Sequence, residues 1–121
     1  MHYELEVIAR HGYVRATVTS DITRTIAAQM AANVTQRFQA ENLDAALIDV
    51  RNSRNIDVAS QNFHFANQDA PALDLRKTDR IAILAAAADD SHDFIELVMR
   101  NTGYNVRLFR DEEEALAWLK L

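Results

Sequence analysis

Two short, nearly unbroken apolar runs, AALIDV at 45–50 and IAILAAA at 81–87, constrain this chain most. A strand that is apolar at almost every position is covered on both faces. Sheets covered in that way are built from parallel strands joined by helices. An alanine-rich helix start is the competing reading of 81–87. Ile81, Ile83 and Leu84 lie between charged breaks, which favours a strand.

The segments around these runs complete the pattern. From Tyr3 to Ala9, Leu5 and Val7 alternate with Glu4 and Glu6, the mark of a strand with one wet face. Arg10, His11 and Gly12 make a turn. Tyr13–Thr19, rich in β-branched residues, is a second strand, so a hairpin opens the chain. Ser20 or Asp21 is placed to cap a helix, in which Ala27, Met30, Ala31, Val34 and Phe38 recur at helical spacing. Val58 to Ala70 is predicted as a further helix, ended by Pro71, which lacks a backbone donor. Residues 72–79 read as a loop anchored by Leu73 and Leu75. Asp90 or Ser91 caps a helix that carries Phe94, Ile95, Val98 and Met99 inward, and Asn101, Thr102 and Gly103 stop it. Asn105–Arg110 is the last strand. Asp111 and Glu114 form a capping box for a closing helix that buries Ala115, Leu116 and Leu119. The order is β-β-α-β-α-β-α-β-α. It predicts an α/β fold with a mixed, mainly parallel five-stranded sheet and flanking helices, in a single domain over 1–121. The first strand, with its charged face, falls at an edge.

Composition limits function. Eighteen acids against thirteen bases give a net charge of −5, which opposes a nucleic-acid binder because phosphate binding needs a basic face. There is no cysteine, hence no disulfide framework and no Cys-based metal site. The longest apolar run is too short to span a bilayer, and MHYELEV does not read as a signal peptide. A cytoplasmic location is the expectation.

The element order resembles the STAS fold of anti-sigma-factor antagonists, the SpoIIAA-like family. The closing NVRLFRDEEEALAWL is similar to the end of the bacterial STAS/SEC14-like branch, and ALIDV and RIAIL match the family's two central strands. The resemblance implies a regulatory or protein-interaction module rather than an enzyme, acting on a protein partner or on its own copy as a homodimer. The alternative it implies is a SEC14-like carrier or sensor of a small apolar ligand or lipid. It implies no cofactor. In the family's antagonists, a serine in an Asp-Ser-Ser-Gly type stretch after the central strand is phosphorylated. Here the region reads RNSRNIDVASQNF, without the doubled serine or the glycine. Ser60, and Ser53 earlier in the stretch, are the phosphosite candidates.

Three groups of residues stand out on their own chemistry. Asp49 and Arg51 sit at the carboxyl end of a central strand, where open α/β sheets place ligands. They make either a polar crevice, joined by Asp89 and Asp90, or a helix cap at Asp49 or Asp57 with Arg51 paired to a neighbouring acid. Ser53 is expected in a solvent-accessible loop and is not expected to be a nucleophile, since no histidine lies near it in sequence. His92, among Asp89, Asp90 and Asp93, reads as a solvated helix start rather than a metal ligand. The helix 58–70 has an apolar stripe wider than one sheet contact needs, with Asn62 inside it. One reading is a core helix with Asn62 bonded to backbone. The other is a ligand or partner face formed by Asn62 and Phe65 with Leu73 and Leu75 as cover. In that arrangement Phe63 packs on the sheet and Phe65 is left outside.

Overall fold

The computed structural model describes residues 2–119. β1 (Tyr3–Ile8) and β2 (Tyr13–Val18) form the antiparallel hairpin, with Gly12 at a positive φ of 74° in its turn. β3 (Ala45–Asp49), β4 (Arg80–Leu84) and β5 (Asn105–Phe109) then add in parallel, so the sheet runs β1-β2-β3-β4-β5. This is the mixed, mainly parallel five-stranded sheet with flanking helices that the alternating elements predict, and it is consistent with the STAS fold.

The period of two in β3 divides the interior. Ala46 and Ile48, with Val50 just beyond the strand, face a large core shared with α1 (Arg24–Glu41), the helix at 59–72 and α4 (Asp93–Asn101). Ala45 and Leu47 face the opposite side, where Ala115 and Leu119 of α5 (Glu112–Leu119) meet them with Ala82 and Leu84. Both faces of β3 and β4 are therefore covered, which is why their sequences are apolar throughout. β1 at the edge keeps Glu4 and Glu6 exposed.

Some local expectations change. Thr23, not Ser20 or Asp21, is the N-cap of α1, its hydroxyl accepting from the Ile26 N–H at 3.4 Å. The carboxylate of Asp57 accepts from the Arg24 backbone N–H, so Asp57 serves the first turn of α1 rather than the helix that follows it. His92, not Asp90 or Ser91, is the N-cap position of α4, without a side-chain bond. Phe94 is 40% exposed, because Ile95, Val98 and Met99 define the inward face and Phe94 lies past its edge.

The helix at 59–72 departs most. It comprises α2 (Ala59–His64), a π-helical turn (Phe65–Asp69) and α3 (Ala70–Ala72). Pro71 does not end it. The ladder has already widened, with the Ala70 N–H bonding to the Phe65 carbonyl, and only one helical residue follows the proline.

Candidate functional site

A partly open cavity of about 110 Å³ lies between the sheet and the three helices on its larger face. Its walls are almost entirely aliphatic and aromatic: Met30 and Val34 from α1, Ile48 and Ile83 from the sheet, Phe65 from the π turn and Met99 from α4. Cavities of comparable size (on the order of 150 Å³) lined by such side chains stay dry and accept benzene or xenon. The polar lining is confined to Thr23, Arg24, Asn55, Asn62 and His92.

These polar groups are held from several elements. Ile22 pairs with Asn55 in an isolated parallel bridge, which brings the start of α1 against the loop after β3. Asn55 Nδ2 donates to Asn62 Oδ1 at 2.7 Å, and Asn62 Nδ2 donates to the carbonyl of Val58 at 3.2 Å. His92 is 2% exposed, with Nε2 at 3.0 Å from the Ser53 carbonyl oxygen and 3.5 Å from Asp89 Oδ2. It is a buried strut between the β3 exit and α4, not a solvated helix start. Arg24 donates to Asp69 through Nε and Nη2, and to Gln61 and Gln68, closing one side of the cavity. The hydrogen bond from Arg24 holds the Asp69 carboxyl below its ordinary range.

The expected ligand face is partly rearranged. Asn62 is buried and hydrogen-bonded, and Leu75 lines the cavity, as does Phe65. Leu73 is half-buried and does not line it. Phe65 is 8% exposed and Phe63 is 52% exposed, the reverse of the expected arrangement. At about 100° per residue, Asn62 lies midway between Phe65 and Ala66, and Phe63 falls about 60° beyond Ala66. The inward face is centred on the asparagine, whereas an apolar-weighted stripe is centred elsewhere.

Asp49 and Arg51 belong to the other face of the sheet. Asp49 Oδ2 accepts from Arg51 Nη2 at 2.7 Å and from Arg15 Nη2 at 2.8 Å, while Oδ1 accepts from the Arg51 backbone N–H and Nε. Glu112 at the start of α5 receives both arginines, at 3.2 and 3.4 Å. Burial pushes the Asp49 carboxyl up, but the hydrogen bonds and charge of Arg51, with the charge of Arg15, outweigh it and hold it below the usual carboxylate range. The four charges satisfy one another. The anions Arg51 meets are the chain's own, and Asp49 caps no helix. Asp89 is in a separate group, with Ser91, Arg54 and His92, and Asp90 is exposed. Arg15, which the sequence alone does not single out, lies opposite Leu47 in the β2–β3 register and so stands on the Asp49 face.

Ser53 is buried at 4% exposure rather than solvent-accessible, because α4 and its preceding loop close over the turn after β3. Its hydroxyl has no hydrogen-bond partner among the described residues. His92 reaches the Ser53 carbonyl, not its Oγ, so the Ser53–His92–Asp89 group lacks the contact that activates a serine. Ser60 is exposed in the first turn of α2. Among the described residues no group of three or more His, Asp or Glu side chains is placed to hold a metal ion, and no helix is long and apolar enough to cross a membrane.

A second surface feature is a group of exposed apolar side chains: Ile56 and Val58 before α2, Phe63 on α2, and Phe94 and Leu97 on α4. The two helices are neighbours. Among comparisons with known proteins, the family model described as SpoIIAA-like matches residues 13–120. No curated protein matches the chain.

Proposed function

The chain belongs to the SpoIIAA-like family, and we propose that it is a non-catalytic binding module that takes a small apolar ligand in the cavity beneath the helix at 59–72. Membership suggests a regulatory or protein-interaction module. The ligand is the finer step. The cavity carries it: about 110 Å³ of mostly apolar-walled space against the larger core. Close-packed interiors leave few voids larger than a water molecule, and this space costs stability unless something fills it. The π turn over it supports the same reading, since such turns recur at functional sites. Native mass spectrometry of the purified protein, with methyl-shift titration by benzene, tests this. A retained small molecule, or saturable benzene shifts at the methyls of Ile48, Ile83 and Met99, is expected. No retained molecule and no saturable shift overturns it.

A second reading, docking of a protein partner or a second copy, is favoured by the exposed group Ile56, Val58, Phe63, Phe94 and Leu97. Phe63, Phe94 and Leu97 stand on the neighbouring helices α2 and α4, and exposed apolar patches mark interaction sites. Light scattering over a concentration series, with Leu97→Glu beside the wild type, tests self-association. A wild-type dimer that Leu97→Glu converts to monomer supports the second copy as partner. A monomer throughout removes it.

A further inference from the structure

We propose that the ligand of the cavity bears a hydroxyl group on a small apolar body, as a phenol or short alcohol does, and that Asn62 receives that hydroxyl. This rests on the apolar-ligand reading above and adds the chemistry of the ligand's polar end.

The orientation of the Asn62 amide is set by its neighbours. Nδ2 faces two carbonyl oxygens, of Val58 at 3.2 Å and Asp57 at 3.5 Å, and carbonyls only accept. Both hydrogens of Nδ2 are therefore directed at backbone, and Oδ1 is the free side of the group. Oδ1 accepts one bond, from Asn55 Nδ2 at 2.7 Å, and an amide oxygen has two acceptor sites. One acceptor position on a cavity-lining, buried side chain is thus open. Asn55 is the reciprocal case. Its Oδ1 accepts from the Asp57 N–H at 3.1 Å, and its Nδ2 spends one hydrogen on Asn62 and has a second to give. An acceptor and a donor stand side by side on the wall of a mostly apolar cavity.

His92 lines the same cavity. Its Nε2 lies 3.0 Å from the Ser53 carbonyl oxygen and so carries the hydrogen of that bond. One open acceptor beside one open donor suits a group that both gives and receives. A hydroxyl does both. A ketone or a carboxylate has acceptors only and would face the Asn62 oxygen with nothing to donate. A carboxylate would also need a cation, and the cation that lines the cavity, Arg24, already donates to Asp69, Gln61 and Gln68. A hydrocarbon would fit the walls and leave the polar end unpaired. Sites built to bond a hydroxyl discriminate strongly against the analogue that lacks it.

Benzene and phenol, matched in shape and differing by the hydroxyl, test this by NMR titration of the full chain. We expect both to bind, phenol at least as tightly as benzene, with the Asn62 and Asn55 side-chain amide resonances moving for phenol alone. In Asn62→Leu, phenol should weaken by about tenfold or more, the size of one lost buried hydrogen bond, while benzene stays within about threefold. If Asn62→Leu does not fold, the wild-type comparison decides alone. Saturable benzene binding with phenol tenfold weaker overturns the hydroxyl and leaves the apolar-ligand reading intact. An equal loss of both probes in a folded Asn62→Leu overturns the role of Asn62. Failure of both probes to bind the wild type overturns this inference together with the reading it rests on.

Discussion

Arg24 and Asp69, 45 residues apart, are joined by two bonds, Nε to Oδ2 at 2.8 Å and Nη2 to Oδ1 at 3.1 Å. The pair fastens the π-helical turn to the first turn of α1, across one side of the cavity. A planar guanidinium fits a carboxylate through two parallel bonds, and this geometry locates as well as attracts. Asp69→Asn keeps the shape and removes the charge. It should raise amide exchange in 65–72 while lowering the melting temperature far less than a core truncation does. Exchange rates equal to the wild type would show that packing of Phe65 and Ala66, not the ion pair, holds the turn in place.

Phe63 and Phe65 give a paired stability test. Phe65 is buried against the larger core and the cavity, and Phe63 stands in solvent. Phe65→Ala should cost about 3–5 kcal/mol. Phe63→Ala should stay within about 0.5 kcal/mol. Urea unfolding of the two variants measures both, and equal losses would contradict the burial pattern.

The same two residues show what the sequence could convey. A period of two assigns Ala46 and Ile48 to one face and Ala45 and Leu47 to the other without tertiary information, so the covered strands and the layer order were legible. The helix at 59–72 was legible as a helix. Its rotation was not, because the inward face is centred on Asn62, whose burial depends on Asn55 and on the Val58 carbonyl. A π turn leaves its mark in the hydrogen-bond ladder rather than in apolar spacing, so the passage through Pro71 was hidden as well. Asp49 and Arg51 are two residues apart and could be paired by inspection. Arg15 and Glu112, 97 residues apart, meet only when β2 and α5 are assembled on β3. The burial of Ser53 has the same origin, since His92, which reaches its carbonyl, is 39 residues further along.

Asp49 should govern part of the acid response. Its folded carboxyl is depressed, so it adds stability that is fully present above the unfolded value of about 3.9 and is lost as pH falls through the lower folded value. Asp49→Asn should cost about 1–3 kcal/mol at pH 7, the scale of hydrogen bonds to a charged group. The wild-type advantage should shrink below about pH 4 as the carboxylate is protonated. Thermal melts of both proteins from pH 7 downward measure it. A gap independent of pH would assign the loss to packing rather than to charge.

Ser53 offers a prediction of opposite sign. Its residue is 4% exposed and its hydroxyl has no partner among the described residues, whereas its backbone N–H bonds to the Val50 carbonyl at 3.0 Å and its own carbonyl meets His92. Burying a hydroxyl without a hydrogen bond is unfavourable by about 1–3 kcal/mol on the scale of protein mutations. Ser53→Ala removes that oxygen and keeps both backbone bonds. It leaves a gap of one atom, which offsets part of the gain. The variant should therefore be as stable as the wild type or more stable, by up to about 1 kcal/mol. Ser53→Val adds bulk in a turn closed over by α4 and should be destabilising instead. Chemical denaturation of the two variants separates these effects. A clear loss of stability in Ser53→Ala would mean that the hydroxyl makes a bond in solution, and a water held between Ser53 and His92 would then be the first partner to look for.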